Sequence, residues 1–200
     1  MNNAVFIVGG GPSLKGFNFS KLADKETIVV NSAVMDVPNP TYFITCCTGY
    51  CKKVVGNNFY NTYARKVMVI GENHFNYKNV KNLLYAFDEV INPKTADGEL
   101  GFTYDDFAIG GNSGFCALQY AVLLGYKNIY LLGIDVQTNN GDHYHTRYGL
   151  IQKEVDWWYK CFIRGLIIIK EKSDIKVYSC SPISKLNKTI PFVNFKDVVI

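Results

Sequence analysis

The chain has 200 residues, 48% of them hydrophobic and 19% charged, with a formal net charge of +4. That apolar content excludes a disordered chain, and the length suits one domain, 1–200, with a core of its own. The mild charge and scattered lysines do not mark a nucleic-acid-binding module, and no apolar run approaches the roughly 20 residues needed to cross a bilayer. The N-terminus enters an apolar run without a basic region or a cleavage site, so no secretory signal is expected. The six cysteines read as buried thiols of a cytoplasmic protein, since Cys47-x-x-x-Cys51 falls short of a zinc pattern.

In chain order, 4–8 (AVFIV) is a β-branched run that stops at Gly9-Gly10-Gly11-Pro12-Ser13, a strand running into a glycine-rich turn. Further strands are predicted at 27–30, ending at Asn31-Ser32, at 42–45 after Pro38 and Pro40, and at 66–70 before Gly71. The stretch 73–106 has weak periodicity and many Asn, Tyr and Asp residues; it reads as loops with one short helix or strand, and as a candidate lid. Helical spacing over 115–124 follows Asn112-Ser113-Gly114, with Asn112 or Ser113 as N-cap and Gly125 after the last turn. Residues 128–133 (NIYLLG) form a fully apolar strand that ends in Ile134-Asp135. A polar loop at 137–149 precedes a long helix at 150–172 that carries Trp157 and Trp158. The series closes with a strand at 176–180 and an edge strand at 192–195. Helix-then-strand alternation of this kind predicts one α/β domain with a mostly parallel sheet flanked by helices.

Four places could carry chemistry. The Gly9-Gly10-Gly11-Pro12-Ser13 turn could expose amides to an anion, at the strand end where open α/β sheets bind ligands. Asn31, ending the second strand, offers a side-chain amide for a ribose or base. Asn112, Ser113 and Gly114 open the best helix, whose N–H groups and dipole suit a phosphate. Beyond the central strand lie Asp135 and the loop Asp142-His143-Tyr144-His145-Thr146-Arg147-Tyr148. His143 or His145 could take a proton from a substrate hydroxyl, while Tyr144, Tyr148 and Arg147 could hold a leaving phosphate. A divalent metal on His143, His145 and Asp135 or Asp142 stays open at this point. His74, in a polar loop, reads as surface.

Taken together, Gly9-x-Gly11-Pro12-Ser13-Leu14-Lys15, Asn31, Asn112-Ser113-Gly114 and 124–135 (LGYKNIYLLGID) resemble the small bacterial sialyltransferases that modify lipooligosaccharide. Residues 177–182 (VYSCSP) are similar to that family's last core strand and loop. The same skeleton occurs in the 6-hydroxymethylpterin diphosphokinase-like family with its motility accessory factor glycosyltransferases, which the Asp142–Thr146 loop resembles. Cys46 or Cys47 stands where the sialyltransferases have an asparagine, and Gly10 stands where their first turn has one. The resemblance implies a Rossmann-like fold of glycosyltransferase A type. It also implies a CMP-type nucleotide-sugar donor and a glycan or other hydroxyl acceptor. Nucleotide contacts would come from Gly9, Gly10, Gly11, Ser13, Asn31, Asn112, Ser113, Gly114 and Asp135, and the catalytic set from His145, His143, Tyr148 and Tyr144.

The leading expectation is therefore a CMP-sugar glycosyltransferase with a histidine general base and no required cofactor, Mg²⁺ being compatible. The alternatives are an ATP/Mg²⁺-dependent diphosphotransferase with Asp135 and Asp142 on the metal, and a non-catalytic nucleotide-binding protein. Nucleic acid is expected only as an acceptor. The aromatic helix around Trp157 leaves a homo-oligomer open, although packing on its own sheet is the simpler expectation.

Overall fold

The computed structural model describes residues 3–56, 64–74, 76–94, 99–137, 143 and 152–198. Seven strands, β1 (Ala4–Val8), β2 (Thr27–Val30), β3 (Tyr42–Thr45), β4 (Arg65–Val69), β5 (Glu89–Ile91), β6 (Asn128–Leu132) and β7 (Lys176–Ser179), form one sheet in the order β5-β4-β3-β2-β1-β6-β7. Every pairing is parallel. This is why the central strands are apolar at consecutive positions: both faces are covered, and β1 is buried along its whole length.

Alternate side chains separate two cores. Val5, Ile7, Ile28, Val30, Ile44, Ile129 and Leu131 pack beneath helices α3 (Ser113–Leu123) and α4 (Gln152–Lys172). Phe6, Val8, Val29, Phe43 and Met68 face the opposite layer, built from the turns after β1 and β2 and from α1 (Thr48–Gly56). Helix α3 is buried from Ser113 to Val122, because it lies between the sheet and α4; the rings of Phe115 and Phe162 meet edge-on at 5.7 Å. From inside α3, fully buried Gln119 accepts the Gly101 and Ala108 N–H groups at 2.9 and 3.0 Å and donates to Ala108 O at 2.6 Å. The loop leading into α3 is fixed by these three bonds.

The stretch 73–106 supplies α2 (Tyr77–Val80) and the edge strand β5, so its described part extends the sheet. Residues 192–195 do not form the expected edge strand; only an isolated bridge, Ser179 to Phe192, survives before a 3-10 turn begins at Phe195. All six cysteines are free thiols. Among the described residues no helix is long and apolar enough to cross a membrane.

Candidate active site

The strand order reverses at β1: the chain steps outward to β5 and then returns through α3 to β6 on the other side of β1. A crevice forms at the carboxyl ends of strands at such a switch point. Here it is a cleft of about 290 Å³. Its walls come from the glycine turn after β1, Asn31 after β2, Cys46, Cys47 and Tyr50 after β3, the start of α3, Asp135 to Gln137 after β6, and His143. One side of α4 closes it with Val155, Trp158 and Phe162.

The glycine turn is built differently from the expected phosphate cradle. Gly9 N–H donates to Leu132 O and Gly11 N–H to Gly133 O, both at 2.8 Å, so the β1–β6 ladder continues through the turn. Ser13 donates its N–H and its Oγ–H to the two carboxylate oxygens of Asp135, at 2.8 and 2.7 Å. Leu14 N–H bonds to Gly11 O. Gly10 N–H is the amide of this turn that is not committed to a described partner. A Cβ on Gly9 would lie 2.6 Å from Gly133 O, and one on Gly11 would lie 2.4 Å from Asp135 Oδ2. Both glycines are thus needed to bring β1 against β6, and the two bonds between Ser13 and Asp135 lock the turn. The segment that follows is a single 3-10 turn, Pro12–Leu14, with too few aligned peptides to hold charge as a helix would.

The start of α3, which also lines the cleft, is partly engaged by its own side chains. Asn112 Oδ1 accepts the N–H groups of Gly114 and Phe115 at 2.7 and 3.1 Å, so the side chain already satisfies two of the amides expected to meet a phosphate. Ser113 Oγ accepts Cys46 N–H at 2.9 Å and lies 3.2 Å from Cys46 Sγ, which ties β3 to the helix start. Gly110 and Gly111, at φ of +54° and +63°, bend the loop sharply into this position.

Asn31 is left-handed at φ +53°, and its Oδ1 accepts Thr45 Oγ–H at 2.8 Å. Its side-chain NH₂ is the group left to donate into the cleft. His143 lies 3.0 Å from Gly10 O through Nδ1. A carbonyl can only accept, so Nδ1 carries the proton and the neutral ring has its lone pair on Nε2. The Cys46 thiol is held below the ordinary thiol range by the Cys116 thiol beside it and by Ser113, against the opposing effect of burial. His145, Tyr144, Tyr148, Asp142 and Arg147 lie outside the described residues. Among the described residues no group of three or more metal-ligating side chains occurs. His74 accepts Asn76 N–H at 3.1 Å in a turn that does not line the cleft.

Tyr50, Gln137 and Trp158 complete the walls without having been singled out from sequence, together with Cys46 and Cys47, which the sequence marks only as standing where the sialyltransferases have an asparagine. Cys46 and Cys47 had a signal, as residues ending the third strand. Trp158 had none, since helical periodicity does not distinguish a residue packing on the sheet from one walling a cleft.

No family profile matches the sequence, and no curated protein matches it significantly. Solved structures do match. The sialyltransferase CstII from Campylobacter jejuni, in complex with the substrate analogue CMP-3FNeuAc, superposes with a TM-score of 0.60 at 20% identity, over 100% of this chain and 90% of that one. The sialyltransferase CST-II with a trisaccharide acceptor and CMP gives 0.61 at 19% identity, over 98% and 89%. An α-2,3-sialyltransferase from Campylobacter jejuni in apo form gives 0.55 at 17% identity, over 100% and 83%. The chain therefore has the Rossmann-like, glycosyltransferase A-type fold of the small bacterial sialyltransferases.

Proposed function

We propose that the protein is a CMP-sugar-dependent glycosyltransferase of the sialyltransferase kind, moving a sugar from its nucleotide to a hydroxyl of a glycan acceptor. One observation carries this reading. The Asn31 amide, the Gly10 N–H, the start of α3 and His143 converge on one cleft, in a fold whose solved counterparts include complexes with CMP and with a CMP-sugar analogue.

In the reaction, the acceptor oxygen bonds to the anomeric carbon as the bond from that carbon to the phosphate oxygen breaks. The electron pair leaves with the phosphate, and the hydroxyl proton goes to a base. Nε2 of His143 suits that role, because Gly10 O fixes the tautomer and the ring orientation. With two of its first amides held by Asn112, α3 would act on the departing negative charge through its dipole, and Gly10 N–H would be the backbone donor nearest to hand in the glycine turn. Tyr144 and Tyr148 are assigned as donors to the leaving phosphate, with His145 as the alternative base. Ser13 and Asp135 act by holding the turn. Asp135 would have to release Ser13 before it could take a metal ion, so this reading requires no Mg²⁺ and favours glycosyl over diphosphoryl transfer.

The test is a thermal-shift series with CMP, CDP, UDP, GDP, ADP and ATP, each with and without Mg²⁺. Ligand at a hundred times its dissociation constant stabilises by about 2.7 kcal/mol, or roughly 5–10 °C for a chain of this size. CMP alone is expected to give that shift, and CMP-sugar is then expected to release CMP in its presence. Stabilisation by ATP only with Mg²⁺ would transfer the reading to the diphosphotransferase, and no shift with any nucleotide would overturn both.

A further inference from the structure

Beside the cleft, and continuous with it through Gly111 and Trp158, lies a second concavity walled by Trp157, Trp158, Gly111 and Glu154. These are the only two tryptophans in the chain. They stand in the first turns of α4, and Trp157 is 38% exposed, high for the residue with the largest apolar surface. Gly111 leaves the backbone bare opposite them: a Cβ there would sit 3.5 Å from Trp157 Nε1 and 3.8 Å from Trp158 Nε1. Both indole nitrogens therefore lie near the side of the concavity where the glycine supplies no side chain. Glu154, one helical turn before them, adds an exposed carboxylate.

This combination has a definite chemical complement. A pyranose ring presents a face of C–H groups ringed by hydroxyls. The C–H face matches the negative face of an indole. The hydroxyls match one N–H donor and one carboxylate acceptor at the rim. A nucleotide phosphate does not fit beside Glu154, and neither does an acidic sugar, because like charges would be brought together with no counter-charge among the described lining residues. The position also suits an acceptor, since the second concavity opens onto the cleft where His143 lies.

The geometry points to Trp157, Trp158, Gly111 and Glu154 as the acceptor subsite, binding a neutral hexose terminus with its apolar face on the indoles. This inference rests on the glycosyltransferase reading for the meaning of the site, though not for its detection. With both tryptophans in the subsite, fluorescence excited at 295 nm reports on it directly, without turnover.

The experiment titrates the protein, saturated with CMP, with lactose and separately with sialyllactose, following tryptophan emission. Lactose is expected to give a saturable change, and sialyllactose to bind at least tenfold more weakly. Trp157→Ala is expected to weaken lactose by about tenfold, and Trp157→Phe to restore most of that affinity because the aromatic face returns. The thermal shift given by CMP serves as the check that each variant is folded with its cleft intact. Glu154→Gln is expected to reduce the discrimination against sialyllactose. A response to CMP without any response to lactose, or equal lactose binding in Trp157→Ala, would overturn the subsite while leaving the transferase reading in place. No response to CMP would overturn the transferase reading itself.

Discussion

Replacing Gly11 with alanine separates two explanations of the glycine turn. If Gly11 is small so that a ligand can approach, the unliganded protein should tolerate a methyl group. The structure says otherwise: the added Cβ would lie 2.4 Å from Asp135 Oδ2, 2.5 Å from Asp135 Cγ and 2.7 Å from Gly133 O. Gly133 O cannot retreat without breaking its bond from Gly11 N–H, and Asp135 cannot retreat without releasing Ser13 from both oxygens. Hydrogen bonds to a charged group contribute about 1.5–3 kcal/mol each, and these two are coupled, so the cost should be about 3 kcal/mol. For a chain of this length that lowers Tm by roughly 6–12 °C. Thermal melts followed by circular dichroism, without ligand, measure it, with Gly56→Ala as control because a Cβ there meets nothing within 4 Å. In a double-mutant cycle, Asp135→Ala should offset at least about 1 kcal/mol of the Gly11→Ala loss, since it removes the atoms that clash. An unchanged Tm for unliganded Gly11→Ala, together with loss of the CMP shift, would refute the reasoning and return the glycine to the ligand.

Three further outcomes are expected. His143→Ala should keep the CMP-induced thermal shift and lower CMP-sugar turnover by about 10²–10⁴-fold; full turnover there, with loss in His145→Ala, would assign the proton to His145. Gln119→Leu leaves the Gly101 and Ala108 amides and Ala108 O without partners, and should cost about 3–5 kcal/mol in urea unfolding; a loss below about 1 kcal/mol would mean the loop does not depend on Gln119. Burial pushes the Cys51 thiol up to about 11 and the Cys180 thiol up to about 12, from an ordinary 9.0. The folded state therefore holds these protons longer than the unfolded chain does. Their stabilisation is complete below pH 9 and is lost as the pH rises from 9 to about 11 and 12, each at up to about 1.4 kcal/mol per pH unit. Cys180→Ala should flatten that alkaline decline by the slope of one proton, and an unaltered slope in denaturation at pH 9 to 11 would contradict the assignment.

The strands were legible because a parallel sheet covered on both faces demands apolar residues at consecutive positions, and runs such as AVFIV and NIYLL supply them. β5 was not, since it is a three-residue edge strand whose Glu89 is taken up by Arg65 and Tyr120 at 3.0 and 2.9 Å. The convergence of the glycine turn, Asn31, the α3 start, Asp135 and His143 could be read from their positions at strand and helix ends. What those residues do there could not. A glycine looks the same in sequence whether its missing Cβ makes room for a phosphate or for the next strand. Likewise Ser13 and Asp135 are 122 residues apart, and nothing local marks them as partners.

That separation also bears on how the protein is made. β1 sits between β2, some twenty residues later, and β6, which follows more than a hundred residues after it. Parallel pairings of this kind raise contact order and slow folding. During synthesis β1 can dock on β2 early, yet one of its edges waits until β6 emerges. The cleft comes into being only when that edge closes, because Gly9, Gly11 and Ser13 find their partners on residues 132–135. Nucleotide binding would thus serve as a late milestone of assembly, absent from a nascent chain halted before β6 and gained as the chain completes.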